Sequence, residues 1–573
     1  MKKVVVWADR NREKFWFSVL LNLLFLTLIF IIFRPVYETN DDIGISNMVN
    51  GAKGSYDPHL VFVHYFLGLL LSAFYRLAGS VAWYALLQYA VLFCAFTAVT
   101  YVVIRRLGGS GVWIALILLT IFGYEGYVSM QFTKTAGIVS SAGMLVMFDS
   151  VDRERARYGE LLCGIALACL GSMYRYNQFF AEAFLMTGTG VCFLLVLHRR
   201  EQRVRFGMLV RCIASFAVLL GLVLGLHWID QSVYQGDPSW KEYQAYNRAR
   251  ARLYDFGFPD YDAHRELYQE LGINKNALKM YRDWNHMDTE KLTTEVLREL
   301  EANKEPRAFD RSFVEDFFET FPVGFFTIPV FYGFLLIFVF WLFWGNHRRE
   351  EIAALVYEAL ITGLLYLYLF YEGRYLYNRV DVGLWFAVTL VLLWTFRQGA
   401  PYFQEKTGLV LFLAVTIFCQ KDWSKLWRVN SEKAVSGMLE ARAVIEEIGN
   451  DTEHLYLAKA KTISFAKSYG VFDQVPFGMA RNLYPLGGWA SASPVFADIL
   501  AEYGVSNPFR DVVGNEAVYL IDSNMKQTMK YIHTYYDEDA EAVLVKEIGG
   551  YKVYQIFDSA AEASEYTEPV NEQ

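Results

Sequence analysis

The sequence predicts an α-helical polytopic membrane protein of about eleven transmembrane helices, with a helical outer loop domain and a small extracytoplasmic α/β domain at the C-terminus. Three observations predict it. Of 573 residues, 54% are hydrophobic and 17% aromatic while only 20% are charged, and the mean hydropathy is +0.21. Apolar runs long enough to cross a bilayer recur along the chain. The last part breaks that pattern, interleaving helical stretches with strand-like runs and ending in a hairpin across Gly549-Gly550. The net charge of −8 argues against a nucleic-acid partner. The six cysteines show neither a disulfide framework nor metal-ligand spacing.

Residues 1–229 read as an N-terminal transmembrane module. Its basic start, Lys2, Lys3, Arg10, Arg12 and Lys14, holds the N-terminus in the cytoplasm. The apolar segment at 17–33 reaches no small-residue cleavage site, so it remains as an anchor. A first outer loop, 34–80, contains an ambiguous apolar segment at 60–78. That segment is long enough to span, yet it follows Asp57-Pro58-His59, contains His64 and Arg76, and leaves only Gly79-Ser80 before the next helix. If it lies along the outer surface, the short loops carrying Arg105-Arg106, Arg153 to Arg157, His198 to Arg205, His347-Arg348-Arg349 and residues 397–406 all face the cytoplasm, as charge bias requires. If it spans, all five turn outward. Further spans are expected at 81–104, 111–124, 132–148, 159–175, 179–197 and 207–229. The stretch 159–197 must divide, because one helix would extend to about twice the hydrocarbon thickness. The turn is expected at the outer surface, around Arg175 and Glu182.

Residues 230–320 form a mixed-charge, aromatic-rich outer loop domain of short helices, broken at Gly257-Phe258-Pro259 and near Gly272. Its length marks it as a lid or a recognition surface. Residues 321–420 supply the last spans, at 321–344, 351–371, 378–396 and 405–419. Residues 421–560 form the α/β domain, with a helix at 431–447 and strands at 454–458, 517–521, 542–545 and 551–556. An acidic tail, 561–573, is expected to be disordered.

This topology gathers the short polar motifs near helix ends on the outer face. Tyr37-Glu38-Thr39-Asn40-Asp41-Asp42 places three carboxylates just beyond the first helix. Asp41 and Asp42 are candidates for deprotonating a hydroxyl, for holding a divalent metal ion, or for pairing with an arginine as a clamp. Arg374 and Arg379 sit at the level of a lipid phosphate, where guanidinium offers bidentate contacts and keeps its charge. Interfacial snorkelling is the alternative. Lys134 and Arg175 are candidates of the same kind, or else neutralise Glu125 and Glu182. His59 is a candidate ligand or a packed interfacial side chain.

The pattern resembles the GT-C superfamily of integral membrane glycosyltransferases, which includes protein O-mannosyltransferases and aminoarabinose transferases. The likeness lies in Asn40-Asp41-Asp42 after the first helix, in Asp57-Pro58-His59-Leu60, in the late outer-face Gly373-Arg374-Tyr375-Leu376, and in the outer C-terminal domain. Asp57-Pro58-His59 stands where the family has His-Pro-Pro. The resemblance implies a multi-pass plasma-membrane enzyme that inverts configuration as it moves a sugar from a polyprenyl-phosphate donor to a cell-envelope glycan, lipid or protein. It further implies that Asp41 or Asp42 is the base and that Arg374, beside Tyr375, contacts the lipid phosphate. A non-catalytic envelope polymer assembly or sensing protein and a transporter or flippase are the competing readings.

Overall fold

The computed structural model describes residues 11, 14–151, 157–200, 206–305, 308–326, 328–345, 347–373, 377–396, 405–429 and 432–566. The apolar segments become helices: α1 (Phe15–Ile32), then after the first outer loop α4 (Trp83–Leu107) and α5 (Gly109–Leu118), the last continuing through a π-helical turn, Leu119–Gly123. The outer loop itself carries α2 (Asn40–Val49) and α3 (Tyr65–Leu77). Next come α6 (Phe132–Val151), α7 (Tyr158–Tyr174), α8 (Tyr176–Arg200) and α9 (Phe206–Gly236). Among the described residues six helices are long and apolar enough to cross a membrane. Among these, α1 turns Leu24 and Ile31 outward, 59% and 76% exposed, as a lipid-facing helix does.

α6 is different, since its residues are buried from end to end. Walled off from lipid, it tolerates Lys134 and Asp149, because neighbouring helices supply their partners. Small residues let those neighbours approach: a Cβ on Gly143 would overlap Gly164 and Ala168 of α7.

α3 stays on the face where it begins. Its 13 residues extend about 20 Å, short of the roughly 30 Å hydrocarbon core. Tyr84, at the start of α4, donates to Asp42 Oδ1 at 2.9 Å, so the chain has returned to its starting side. On that side strand β1 (Val36–Tyr37) pairs in parallel with β2 (Ser129–Met130).

The outer loop domain consists of α10 (Pro238–Phe256), α11 (Arg265–Glu270), α12 (Lys275–Arg282) and α13 (Thr294–Ala302), followed by α14 (Arg311–Phe325). The remaining apolar helices are α15 (Pro329–Trp344), α16 (Arg349–Tyr371), α17 (Asn378–Thr395) and α18 (Glu405–Val429). The expected span at 321–344 is therefore corrected. Extended Ile328 and Pro329 at the helix start divide it, because proline suits the first turn of a helix and not its interior.

The C-terminal domain opens with α19 (Glu432–Asn450) and builds a five-stranded sheet in the order β4-β3-β5-β7-β6. The strands are β3 (Leu455–Ala458), β4 (Leu483–Pro485), β5 (Val518–Ile521), β6 (Glu541–Ile548) and β7 (Tyr551–Phe557). β3 pairs in parallel with β4 and β5, and is buried at every residue, so both faces are covered. The domain also contains a short helical turn, Phe465–Ser468, and the helices α20 (Pro494–Glu502) and α21 (Met525–Tyr535). In the tail at 561–573, a short helix, Ala560–Tyr566, replaces the expected disorder, and 567–573 lie outside the described residues. Loop and C-terminal domains share one apolar core, in which Leu253, Tyr268 and Tyr281 meet Leu455, Phe509 and Tyr531.

Candidate functional site

A cavity of about 1170 Å³ lies between the helix ends, the loop domain and the C-terminal domain. Its membrane-side wall is apolar low down, with Phe180, Phe184, Leu365, Tyr368 and Leu369 along α8 and α16. Phe184 and Tyr368 are 63% and 59% exposed. Above them the lining turns polar, with Asp41, Arg175 and Arg379.

Thr39 starts α2 by accepting the Asp41 N–H at its hydroxyl, which turns the Asp41 side chain toward the cavity. Arg379 Nη1 donates to Asp41 Oδ2 at 3.2 Å, and the Trp489 indole donates to Oδ1 at 3.2 Å. Trp489 arrives from the C-terminal domain on the Gly487-Gly488 turn. A Cβ on Gly487 would overlap the Trp284 carbonyl, so only glycine fits there. The Arg175 guanidinium lies over the rings of Phe62 and Phe132, 4.8 and 5.5 Å from their centroids.

The acidic pair divides. Asp42 is fully buried and faces away from the cavity. Its Oδ1 accepts from Tyr84 at 2.9 Å, Gln88 at 3.2 Å and the Phe132 N–H at 3.0 Å. Burial pushes its carboxyl up to about 7, against the opposing pull of those donors. The expectation that either acid could be the base is thus corrected for Asp42. It anchors α2 to α4 and α6, and through Phe132 it supports the bed on which Arg175 rests.

For Lys134 the structure follows the second expectation, neutralisation of Glu125, and not contact with a lipid phosphate. It is fully buried and does not line the cavity; its Nζ lies 2.5 Å from Glu125 and 2.7 Å from Glu38. Its charge is consumed by these carboxylates, whose alternative is an uncompensated buried charge. His59 is likewise removed from the cavity: Nδ1 lies 2.8 Å from Asp57 and the ring stacks on Trp240 at 4.4 Å, pinning the first outer loop to α10. Arg374 and Tyr375 lie outside the described residues.

Glu182 was expected in the turn at the outer surface. Arg175 makes that turn alone, in extended conformation, and Glu182 lies inside α8, buried, accepting from Gln178 at 2.7 Å. Glu358 of α16 is also buried within a span, so polar groups of the spanning region do not all gather at one face. Lining residues the sequence reading did not single out include Trp489, Lys459, Lys461 and Arg250, and also Lys53, Arg252, Asp255 and Asp381. The first three sit in loops between strands of the C-terminal domain, where no spacing marks them.

The geometry does not fit a metal held by the acidic pair. Asp42 Oδ1 is occupied by three donors on the far side of α2, and both Asp41 oxygens already meet N–H groups, one of them cationic. Among the described residues no group of three His, Cys, Asp or Glu side chains is arranged to hold a metal ion.

Fold and site together define a multi-pass helical membrane protein whose cavity joins an apolar groove between helices to a polar chamber roofed by extramembrane domains. No family model and no curated protein matches the chain. Among solved structures it is similar to ArnT from Cupriavidus metallidurans bound to undecaprenyl phosphate, with 12% identity over 96% of this chain and 98% of that chain, at a TM-score of 0.38.

Proposed function

We propose that the protein is a plasma-membrane glycosyltransferase that moves a sugar from a polyprenyl-phosphate donor to a cell-envelope acceptor on the extracytoplasmic face. One observation carries this reading: a single cavity holds an apolar groove, the membrane-side arginines Arg175 and Arg379, and the Asp41 carboxylate in succession. A lipid-linked sugar phosphate has the same order of parts. The polyprenyl chain lies along Phe184, Leu365 and Tyr368, and the phosphate meets Arg175 and Arg379. The sugar occupies the chamber beside Asp41.

In the proposed step Asp41 takes the proton of the acceptor hydroxyl, whose oxygen attacks the anomeric carbon from the side opposite the phosphate. The bond from that carbon to the phosphate oxygen breaks, configuration inverts, and polyprenyl phosphate leaves with its charge offset by the two guanidiniums. Arg379 pairs with Asp41 before the donor arrives. Donor phosphate competes for Arg379 and so uncovers the base. The bulk basic loops at the other helix ends, and the basic N-terminus, orient the cavity outward.

The test uses purified protein and a panel of undecaprenyl-phosphate sugars, with release of undecaprenyl phosphate as readout. Asp41→Asn is expected to lower turnover by about 10²–10⁴-fold while binding of undecaprenyl phosphate is retained. Full turnover in that variant would remove Asp41 from the chemistry. A scaffold protein would bind no undecaprenyl phosphate at all.

A further inference from the structure

We propose, resting on the transferase reading, that the cavity wall opposite the membrane is an acceptor subsite for an acidic sugar, one bearing a carboxylate or a phosphate ester. Arg250 is its centre, with Trp284 and Lys461 beside it. The donor carries one phosphate, and Arg175 with Arg379 stands on the membrane side to meet it. The outer wall brings further cations that this phosphate does not require.

Arg250 is held as a binding group is held. It is 5% exposed, and its guanidinium carbon lies 5.4 Å from the Tyr254 ring and 5.6 Å from the Trp284 ring. Nε and Nη2 both donate to Asn247 Oδ1, at 3.1 and 2.8 Å, while Nη1 has no hydrogen-bond partner. Asn247 is neutral, so its oxygen leaves the cation's charge uncompensated, and among the described residues no carboxylate forms an ion pair with Arg250. A guanidinium cannot shed its proton to escape that cost. Other cations lining the cavity are held differently: Lys459 pairs with Asp522 at 3.3 Å, Arg252 with Glu301 at 3.5 Å, and Lys53 donates to the Ala480 and Leu483 carbonyls at 2.6 and 3.0 Å.

Trp284 and Lys461 share a second property. Both line the cavity and both take a left-handed backbone, at φ 70°, a conformation that tryptophan and lysine rarely adopt. Such positions cluster where ligands are clamped. The Ala460 N–H donates to Asn285 at 2.9 Å, which sets the lysine turn beside Trp284. Ser464 donates to Asn40 at 2.9 Å, which ties the same segment to the start of α2, next to Asp41. An acceptor can thus present its hydroxyl to Asp41 while its ring meets the indole face and its anionic group meets Arg250 and Lys461.

The test measures binding to the full-length protein of glucose 6-phosphate, glucuronate and glucose, and separately of undecaprenyl phosphate. The wild type is expected to bind the two anionic sugars about tenfold or more tightly than glucose. Arg250→Gln is expected to abolish that preference and to leave undecaprenyl phosphate affinity unchanged, whereas Arg379→Gln does the reverse. Lys461→Gln, at an exposed position, is the companion variant and is expected to weaken anionic sugars alone. Equal affinity for glucose and its anionic relatives in the wild type overturns the proposal. So does loss of undecaprenyl phosphate binding in Arg250→Gln, which would assign this wall to the donor. Because no turnover is needed, a wild type that releases undecaprenyl phosphate from none of the sugar donors would sink the transfer reaction and leave the binding result standing.

Discussion

Asp41 and Asp42 are chemically alike and adjacent, yet their environments divide them. One meets a guanidinium and an indole at the cavity, while the other is sealed among Tyr84, Gln88 and the start of α6. The raised pKa of Asp42 has a definite sign. The folded state holds the proton up to about pH 7, whereas the unfolded chain releases it near 4, so stability from this group falls as pH rises between those values. Asp42→Asn keeps an oxygen acceptor for the three donors and has no proton to lose. Thermal midpoints in detergent at pH 4.5 and pH 7.5 are expected to show a decline in the wild type, of order a few kcal/mol, that shrinks in the variant. An identical decline in both would show that Asp42 ionises freely in the fold. Lys53 carries the opposite sign. Burial lowers its pKa to about 7, so its contribution to stability improves as pH rises from there towards the ordinary lysine range.

At the scale of elements, α6 and α7 approach closely, with Gly143 and Gly164 facing each other's backbone. Without a hydrophobic driving force between helices in lipid, that close packing is what joins them. Gly143→Val is expected to lower stability by about 1–3 kcal/mol, read as a fall in thermal midpoint, because its side chain has nowhere to go without separating the helices. An unchanged midpoint would mean that α6 and α7 are not held by this contact. α17 meets α6 in a related way, since a Cβ on either Gly137 or Gly383 would overlap the buried Glu182 carboxyl. The polar side chain fills the gap that two glycines leave, and Gln178 hydrogen-bonds it.

Across the whole molecule, the candidate base is positioned by a residue from the far end of the chain. Trp489 donates to Asp41 and packs edge-on against Phe62 of the first outer loop. Trp489→Phe keeps the ring and removes the donor. Its turnover is expected to fall about tenfold, as loss of one hydrogen bond to a charged group allows. Combined with Asp41→Asn it should add little further loss, since the two groups act as a unit. Fully additive losses in that double-mutant cycle would show that Trp489 serves packing alone. The cavity also depends on both extramembrane parts, because α10 and the loops after β3 and β4 form its roof.

The sequence alone determined the helical membrane class, most of the apolar helices apart from the break in 321–344, and the strands at 454–458, 517–521 and 551–556. Each is a local property, set by the solvent that a stretch of about twenty residues must face or by a repeat of two along a strand. Asp41, Arg175 and Arg379 were legible as charges stranded near helix ends. Only tertiary structure decided that Asp42 turns inward, that Lys134 and His59 are spent on Glu38, Glu125 and Asp57, and that Trp489 and Arg250 enter the cavity. Burial and pairing depend on partners hundreds of residues away, and no periodicity within one segment records which partner will arrive.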